Sequence, residues 1–243
     1  MSHLPDFSTT AFLIADQTRA AMLTMLMDGR ALPAGELAYA AGVTAQTASS
    51  HLAKLLEGGL IMVEIQGRHR YYRLAGSEVA FALEQLAAIR PTGIIKRKAL
   101  SPLGRQLQFC RRCYDHLAGE VGVAITQGLQ RQGYILPAAD KKFEVTSAGV
   151  NWFDRIGLDV LAIKPTKYGL ARQCLDWTER THHLAGPLGV QLMNRMCSMD
   201  WLHRSKSSRA ILVTPIGWAE LKEELGLDKS SITSSTKPLQ DGC

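Results

Sequence analysis

Residues 36–52, ELAYAAGVTAQTASSHL, contain the pattern that decides the fold of the N-terminal part of the chain. A short apolar-polar segment is followed by a glycine turn, and Thr44 is suited to cap the helix that begins after it. Ala48, Leu52 and Leu55 recur at positions i, i+4 and i+7, so they form one apolar stripe that packs inward. This spacing predicts a helix-turn-helix.

Polar side chains of the second helix lie on faces away from this stripe, and a hairpin with a basic tip follows over residues 60–74. Amides, hydroxyls and cations at the start of a helix suit base edges and phosphates in a major groove. The predicted DNA-contacting residues are Thr44, Gln46, Thr47, Ser50, His51, Lys54, Arg68, His69 and Arg70. A protein-binding winged helix has the same layout and is kept as an alternative.

Helices are also predicted on both sides of this motif. Apolar residues at helical spacing predict one continuous helix over 12–28, which Gly29 ends. A short helix is predicted over 33–41, and another over 77–90 before a proline.

The N-terminal part resembles the ArsR-type winged-helix repressors over about residues 8–75. The resemblance is carried by Asp16-Gln17-Thr18-Arg19, by His51-Leu52-x-Lys54-Leu55-x2-Gly58-Gly59-Leu60-Ile61 and by Gly67-Arg68-x-Arg70-Tyr71-Tyr72. It implies a homodimer formed by the first helix and the helix after the wing, an inverted-repeat operator of double-stranded DNA, and release of that DNA when an effector binds. It also implies that the operator-facing positions are Thr44, Gln46, Thr47, Ser50 and His51.

Two metal sites of that family lack their residues in this chain. Residues 32–37 contain no Cys-x-Cys pair, and the predicted helix after the wing contains Glu78 and Glu84 but no histidine. Members of the family are usually much shorter than this chain. The resemblance therefore implies that the second half holds the sensor.

An internal repeat dominates that second half. The octapeptide HLAGEVGV at residues 116–123 returns as HLAGPLGV at residues 183–190, and six of the eight positions are identical. Matching Val-Thr, Gly and Gly-Leu-Asp positions follow both copies in the same order, which indicates a duplicated unit. The predicted fold class is α+β, mostly helical, with an N-terminal winged helix-turn-helix and a C-terminal domain of two repeated helix-hairpin-helix units.

The net charge of +6 is concentrated in one segment, because residues 91–114 contain six Lys and Arg residues and no acidic residue. This segment either touches the DNA backbone or forms a solvated hinge. The predicted domains are a winged helix-turn-helix DNA-binding and dimerisation domain (1–92), a basic linker (93–103), a duplicated effector or assembly domain (104–228) and a disordered tail (229–243).

Cysteine and histidine residues form the candidate effector site of the C-terminal half. Positions 110, 113 and 116 are predicted to share one face of a helix. The candidates are Cys110, Cys113, His116, Cys174, His182 and His183. No cofactor is required by the winged helix, but thiolate and imidazole ligands suit a transition metal such as zinc.

Three other interpretations of these residues stay open. A lowered thiol pKa beside Arg111 and Arg112 would favour sensing of an oxidant. An unidentified small molecule is a third kind of effector, and simple packing of buried thiols is the fourth interpretation.

Other classes of protein lack their sequence patterns. The chain has no Gly-rich phosphate loop, nucleophile elbow or His-Glu-x-x-His motif, so no enzyme is predicted. Cys113 and His116 as nucleophile and base remain the enzymatic alternative. The absence of a long apolar run and of a secretory signal predicts a cytoplasmic protein with no membrane partner. An architectural DNA-binding protein without an inducer is the other alternative.

Overall fold

The computed structural model of the chain describes residues 7–27, 29–89, 102–206 and 208–234. The chain divides into two compact units, residues 1–83 and 84–243. The helices are α1 (Ser8–Ala15), α2 (Gln17–Leu26), α3 (Ala34–Ala41), α4 (Ala45–Glu57), α5 (Ser77–Ala88), α6 (Pro102–Phe109), α7 (Gly119–Arg131), α8 (Ser147–Arg155), α9 (Gly186–Ser198), α10 (Pro215–Leu225) and α11 (Lys229–Ser234). The strands are β1 (Leu32–Pro33), β2 (Ile61–Gln66), β3 (His69–Leu74), β4 (Arg111–Cys113), β5 (His116–Ala118), β6 (Ile135–Ala138), β7 (Lys142–Val145), β8 (Arg172–Leu175), β9 (His182–Ala185), β10 (Leu202–Arg204) and β11 (Ile211–Val213).

The first unit is a winged helix-turn-helix, as predicted. Helices α3 and α4 form the motif, and the Thr44 hydroxyl accepts the Thr47 N–H at 3.2 Å to cap α4. The stripe of Ala48, Leu52 and Leu55 is fully buried against the rest of the unit. The wing is the β2–β3 hairpin, to which β1 adds a third antiparallel strand.

The single helix predicted over 12–28 is wrong, because the chain breaks at Asp16 into α1 and α2. Asp16 is extended, with ψ of 129°, and its carboxylate accepts the Arg19 N–H at 2.9 Å, so it caps α2. The buried Arg19 side chain then donates to the carbonyls of Leu13 and Phe12 at the end of α1. These interactions provide hydrogen-bond partners for backbone carbonyls at the end of α1 and for a backbone N–H at the start of α2. Two short helices therefore replace one long helix.

The second unit contains two series of elements with the same order. The first module (β4 to α8) and the second module (β8 to α10) each run hairpin, helix, hairpin, helix. The predicted helix-hairpin-helix unit omitted the first hairpin, since the His-Leu-Ala segments are strands. The helix begins only at Gly119 or Gly186, whose φ angles of 81° and 77° turn the chain sharply after the strand.

Each module places its second hairpin beside the first hairpin of the other. Strands β6-β7-β8-β9 form one antiparallel sheet across the two modules, with Lys142 paired to Arg172. At the corresponding place near β4, the Ile211 N–H donates to the Cys110 carbonyl at 3.0 Å. Helix α7 packs on β9, and α9 packs on β5. The modules are therefore interlocked around one core.

The C-terminal end of the second unit contains a helix that the sequence did not predict. Lys229–Ser234 forms α11, and Ile232 is buried in the core, whereas the prediction placed this segment in a disordered tail. Residues 235–243 lie outside the described residues, as do 90–101 and therefore most of the predicted linker over 93–103. In the part of the chain that is described, no helix has the length and apolar character needed to cross a bilayer.

Candidate DNA interface and candidate metal centre

The outer face of α4 presents the polar side chains that were predicted to read DNA. Gln46, Thr47, Ser50 and Lys54 are exposed on the faces away from the buried stripe, and Thr44 is exposed at the start of the helix. His51 differs from these residues, because its side chain is only 18 % exposed and its Nδ1 lies 3.5 Å from the Asp16 carboxylate. The geometry therefore leaves His51 less available for DNA than its neighbours.

The tip of the wing carries the second group of predicted DNA-contacting side chains. Arg68, His69 and Arg70 are all exposed around Gly67, whose φ of 60° makes the tight turn of the hairpin. Arg73, nearer the base of the wing, instead forms a salt bridge with Glu64 on the opposite strand. The free positive charge of the wing is thus concentrated at its tip.

Two cross-strand pairs in the second unit bring two thiols and two imidazoles together. Cys113 on β4 lies opposite His116 on β5, and Cys174 on β8 lies opposite His183 on β9. One possible ligand atom from each of the four residues lies within 4.8 Å of all the others, and all four residues are buried. We refer to these four residues as the Cys-His cluster.

A carboxylate lies beside each histidine of the cluster. Asp115 Oδ1 is 2.8 Å from Nδ1 of His116, and Asp176 Oδ2 is 3.3 Å from Nδ1 of His183. The Nε2 atoms of the two rings point at one another across 3.1 Å. A carboxylate therefore lies behind each ring, and both Nε2 atoms face the interior of the cluster.

Asp176 also ties the two modules together. Its carboxylate accepts the Gly119 N–H at 2.8 Å at the start of α7 and pairs with Arg111 at 2.9 Å. The fully buried guanidinium of Arg111 lies over the ring of Trp177, 4.6 Å from its centre. Burial opposes the charge on Asp176, but His183 and Arg111 outweigh it, so the pKa of this carboxyl lies well below its usual range.

The thiols are not activated in the way the oxidant-sensing alternative requires. Burial raises the pKa of Cys110 despite the neighbouring Arg111. A hydrogen bond to Cys174, together with burial, raises the pKa of Cys113 well above its usual value. The expectation of lowered thiol pKa values is therefore wrong for both residues, since Arg111 is committed to Asp176.

Several known regulators are similar to the N-terminal unit of this chain. Residues 14–64 match the family described as a helix-turn-helix domain. The solved homodimeric winged helix-turn-helix domain of Mb0332 from Mycobacterium bovis, a possible ArsR-family regulator, is 26 % identical, with 35 % of this chain and 86 % of that chain covered and a TM-score of 0.31. CmtR, an HTH-type transcriptional regulator of Mycobacterium tuberculosis H37Rv, is 40 % identical over 76 residues, which are 31 % of this chain and 64 % of CmtR.

A further relative matches over almost the whole length. YdfF of Bacillus subtilis strain 168, an uncharacterized HTH-type transcriptional regulator, is 45 % identical over 223 residues, which cover 92 % of this chain and 98 % of YdfF. The chain belongs to the same family of HTH-type transcriptional regulators as YdfF. The match to YdfF spans both units, so the C-terminal unit is shared between the two regulators.

The structure unites four of the six cysteine and histidine candidates of this regulator. Cys110 is buried in the apolar core instead. His182 is adjacent to His183 on β9, so its side chain points to the opposite face of the strand. Burial, with Lys141 nearby, lowers the pKa of His182. The predicted common helix face for residues 110, 113 and 116 is wrong, because β4 and β5 form a hairpin there.

The predicted effector-site residues did not include the two carboxylates that lie beside the histidines. A signal for them is present, because both copies read Cys-x-Asp, at residues 113–115 and 174–176. The two aspartates nevertheless reach their histidines differently. Asp115 is next to His116 in the hairpin turn, whereas Asp176 reaches His183 across the β8–β9 hairpin.

Proposed function

We propose that this regulator is a dimeric repressor that binds an inverted-repeat operator and is released by an effector bound in its C-terminal unit. The observation that carries the DNA-binding part is the outer face of α4, where Gln46, Thr47, Ser50 and Lys54 are exposed opposite the buried stripe. Exposed amide, hydroxyl and ammonium groups on one helix face match the groups that base edges and phosphates offer in a major groove. The exposed cations at the wing tip support a second contact with the DNA backbone.

Apolar side chains on the flanking helices support the dimer. Phe12 on α1 is 71 % exposed, and Leu86 and Ile89, on and just after α5, are 48 % and 71 % exposed. Large apolar side chains at such exposure are stabilised when a second copy covers them. An inverted-repeat operator then follows, because a twofold dimer presents two recognition helices in opposite orientations.

The C-terminal unit supports the proposal of an effector, because it is larger than the DNA-binding unit and DNA binding does not explain its presence. We further propose that its two modules are copies of one duplicated sequence. Thr146 and Thr214 cap their helices in the same way, by accepting the N–H of Gly149 and Gly217. A hypothetical Cβ on either glycine would collide with a carbonyl of the preceding segment, at 2.0 and 2.1 Å.

Selection of bound sequences from random double-stranded DNA tests the operator. The expected product is a pair of inverted half-sites about one helical turn apart. On that sequence, Gln46→Ala or Ser50→Ala should weaken binding by about 1–3 kcal/mol if the side chain makes a good base contact. Binding of unrelated DNA at the same salt concentration should change much less.

The matched control is Glu57→Ala, an exposed change at the far end of the same helix. It should leave the preference for the operator intact. If no sequence is enriched, or if both recognition-helix variants bind the operator like the wild type, the assignment of α4 is wrong. The chain would then fit the alternative of a protein-binding winged helix.

A thermal-shift screen with metal ions and metabolites tests the effector. A compound that binds the folded state raises its melting temperature by mass action, and a true effector must also lower operator affinity. A regulator whose DNA binding responds to none of the stabilising compounds would instead fit the architectural alternative. The enzymatic alternative has little support, because Cys113 is buried with its sulfur against Cys174.

A further inference from the structure

We propose that the Cys-His cluster binds one zinc ion, which joins the two interlocked modules. The proposal goes beyond DNA binding and effector release, because the ion would be held whether or not the operator is occupied. Each module supplies one cysteine and one histidine from a cross-strand pair, so neither module alone has a complete ligand set. The ion would therefore sit at the junction of the two modules.

The distances within the cluster suit a tetrahedral ion. Zinc bonds to nitrogen and sulfur of about 2.0–2.3 Å place neighbouring ligand atoms roughly 3.3–3.8 Å apart. The two Nε2 atoms lie 3.1 Å apart, and all four ligand atoms lie within 4.8 Å of one another. The separations in the cluster are therefore within about 1 Å of those in a zinc site.

The orientation of the two imidazoles points to a cation. Asp115 and Asp176 each lie beside an Nδ1 atom, and the two Nε2 atoms face one another at 3.1 Å inside the cluster. A cation bound at this place would accept a lone pair from each Nε2 atom, while each Nδ1 atom keeps its neighbouring carboxylate. A carboxylate behind a ligating histidine is also the usual way in which proteins fix the ring and raise its basicity.

The charges of the surrounding groups balance when a divalent ion is present. Two thiolates, from Cys113 and Cys174, neutralise the two positive charges of the ion. Asp176 is already neutralised by the buried Arg111 at 2.9 Å. Such pairing is required because uncompensated charge in a buried site is strongly unfavourable.

The donor atoms define the class of ion and the type of site. Sulfur and imidazole ligands in a tetrahedral arrangement favour zinc over magnesium, calcium or manganese. Four protein ligands leave no coordination position for water, which is the arrangement of structural rather than catalytic zinc. The energy of binding therefore contributes to the folding of the second unit.

Metal analysis of the full-length protein tests the proposal. After dialysis against metal-free buffer, the wild type should retain about one zinc ion per chain. Replacement by cobalt(II) should give the intense visible absorption of a tetrahedral site together with a thiolate-to-cobalt charge-transfer band. Removal of the ion with a strong chelator should lower the melting temperature, and added zinc should restore it.

Variants assign the ligands. Cys113→Ser/Cys174→Ser should lose the bound zinc and the charge-transfer band. His182→Gln and Cys197→Ser are the matched controls, because His182 points away from the cluster and Cys197 is a partly exposed cysteine outside it. Both control variants should keep the ion.

A wild-type protein that retains no zinc and melts at the same temperature with or without the ion would overturn the proposal, even if the double variant fails to fold. Retention of stoichiometric iron instead of zinc would also overturn it. So would an intact-mass loss of two hydrogens with a Cys113–Cys174 crosslink, which would identify the pair as a disulfide. None of these measurements uses DNA, so failure of the zinc site and failure of the proposed repressor function are distinguishable.

Discussion

Asp115 and Asp176 occupy equivalent places in the two copies of the Cys-x-Asp segment, but they have different structural roles. Asp115 is partly exposed in a hairpin turn and contacts the cluster through His116. Asp176 is fully buried and also holds Arg111 and the start of α7. The effect of a carboxylate on the metal can therefore be measured cleanly only at Asp115.

Asp115→Asn should weaken zinc binding by about 10-fold or more while the protein remains folded, because the carboxylate behind a ligating histidine orients and activates it. The measurement is competition with a chromogenic chelator of known zinc affinity. Asp140→Asn is the control, since Asp140 is an exposed aspartate in the turn of another hairpin, β6–β7. Equal zinc affinity of both variants would show that Asp115 does not act on the site.

The wing illustrates how the contacts of an element decide which of its charges reach DNA. Arg68 and Arg70 are exposed at the tip, whereas Arg73 is paired with Glu64 between the strands. The charge of a paired arginine is partly neutralised by its carboxylate partner. Only the tip therefore offers cations for phosphates.

Arg68→Ala/Arg70→Ala should weaken binding to all DNA sequences by a similar factor. The slope of log affinity against log salt concentration should also become shallower, by about 1 for each phosphate that the variant no longer binds. Fluorescence anisotropy at several salt concentrations measures that slope. Glu64→Ala/Arg73→Ala is the control, because it removes both members of an ion pair in the wing and leaves the net charge of the protein unchanged. An unchanged slope in the tip variant would place the phosphate contacts elsewhere, with Lys96, Arg97 and Lys98 as the next candidates.

The first turns of α7 and α9 pack against the strands that precede them in the same way. A Cβ on Gly122 would lie 2.8 Å from the Leu117 carbonyl oxygen, and a Cβ on Gly189 would lie 2.5 Å from that of Leu184. Backbone atoms cannot move aside as a flexible side chain can. Glycine at both positions is therefore required by close approach of helix and strand.

Gly122→Ala and Gly189→Ala should each lower the free energy of unfolding of the second unit by about 1–3 kcal/mol, because overpacking forces the backbone apart. Urea denaturation followed by tryptophan fluorescence reports on this unit, since all four tryptophans lie in it. The control is Gly35→Ala in α3 of the first unit, followed by far-UV circular dichroism, because nothing lies within 4 Å of its Cβ position and alanine favours a helix. Stability equal to wild type in both variants would mean that helix and strand are not packed so closely.

At the scale of the whole molecule, the proposed dimer links exposed apolar side chains to the symmetry of the operator. Phe12→Asp should convert dimers to monomers, because a charge replaces a 71 % exposed aromatic ring that a second copy would cover. Analytical ultracentrifugation measures the mass of the protein in solution. Loss of the dimer should also lower the affinity for the operator. Leu161→Asp is the control, since Leu161 is 82 % exposed in the second unit. A Phe12→Asp protein that remains dimeric would exclude α1 from the interface.

The sequence by itself determined the elements whose signals are local. The spacing of Ala48, Leu52 and Leu55, the cap at Thr44 and the glycine of the wing turn depend on neighbours a few residues away, so the winged helix-turn-helix was predictable. The break at Asp16 was not, because it depends on Arg19 reaching back to the carbonyls of Leu13 and Phe12. A helical periodicity continues across the break and conceals it.

Only the tertiary structure decided which cysteines and histidines meet. Cys113 and Cys174 are distant in the chain, and their sulfur atoms approach because each module places a hairpin beside a hairpin of the other around a common core. Strand alternation then directs His183 into the cluster and His182 away from it. The repeat in the sequence indicated two equivalent histidines, but whether they face one another depends on packing between the modules, which no local pattern encodes.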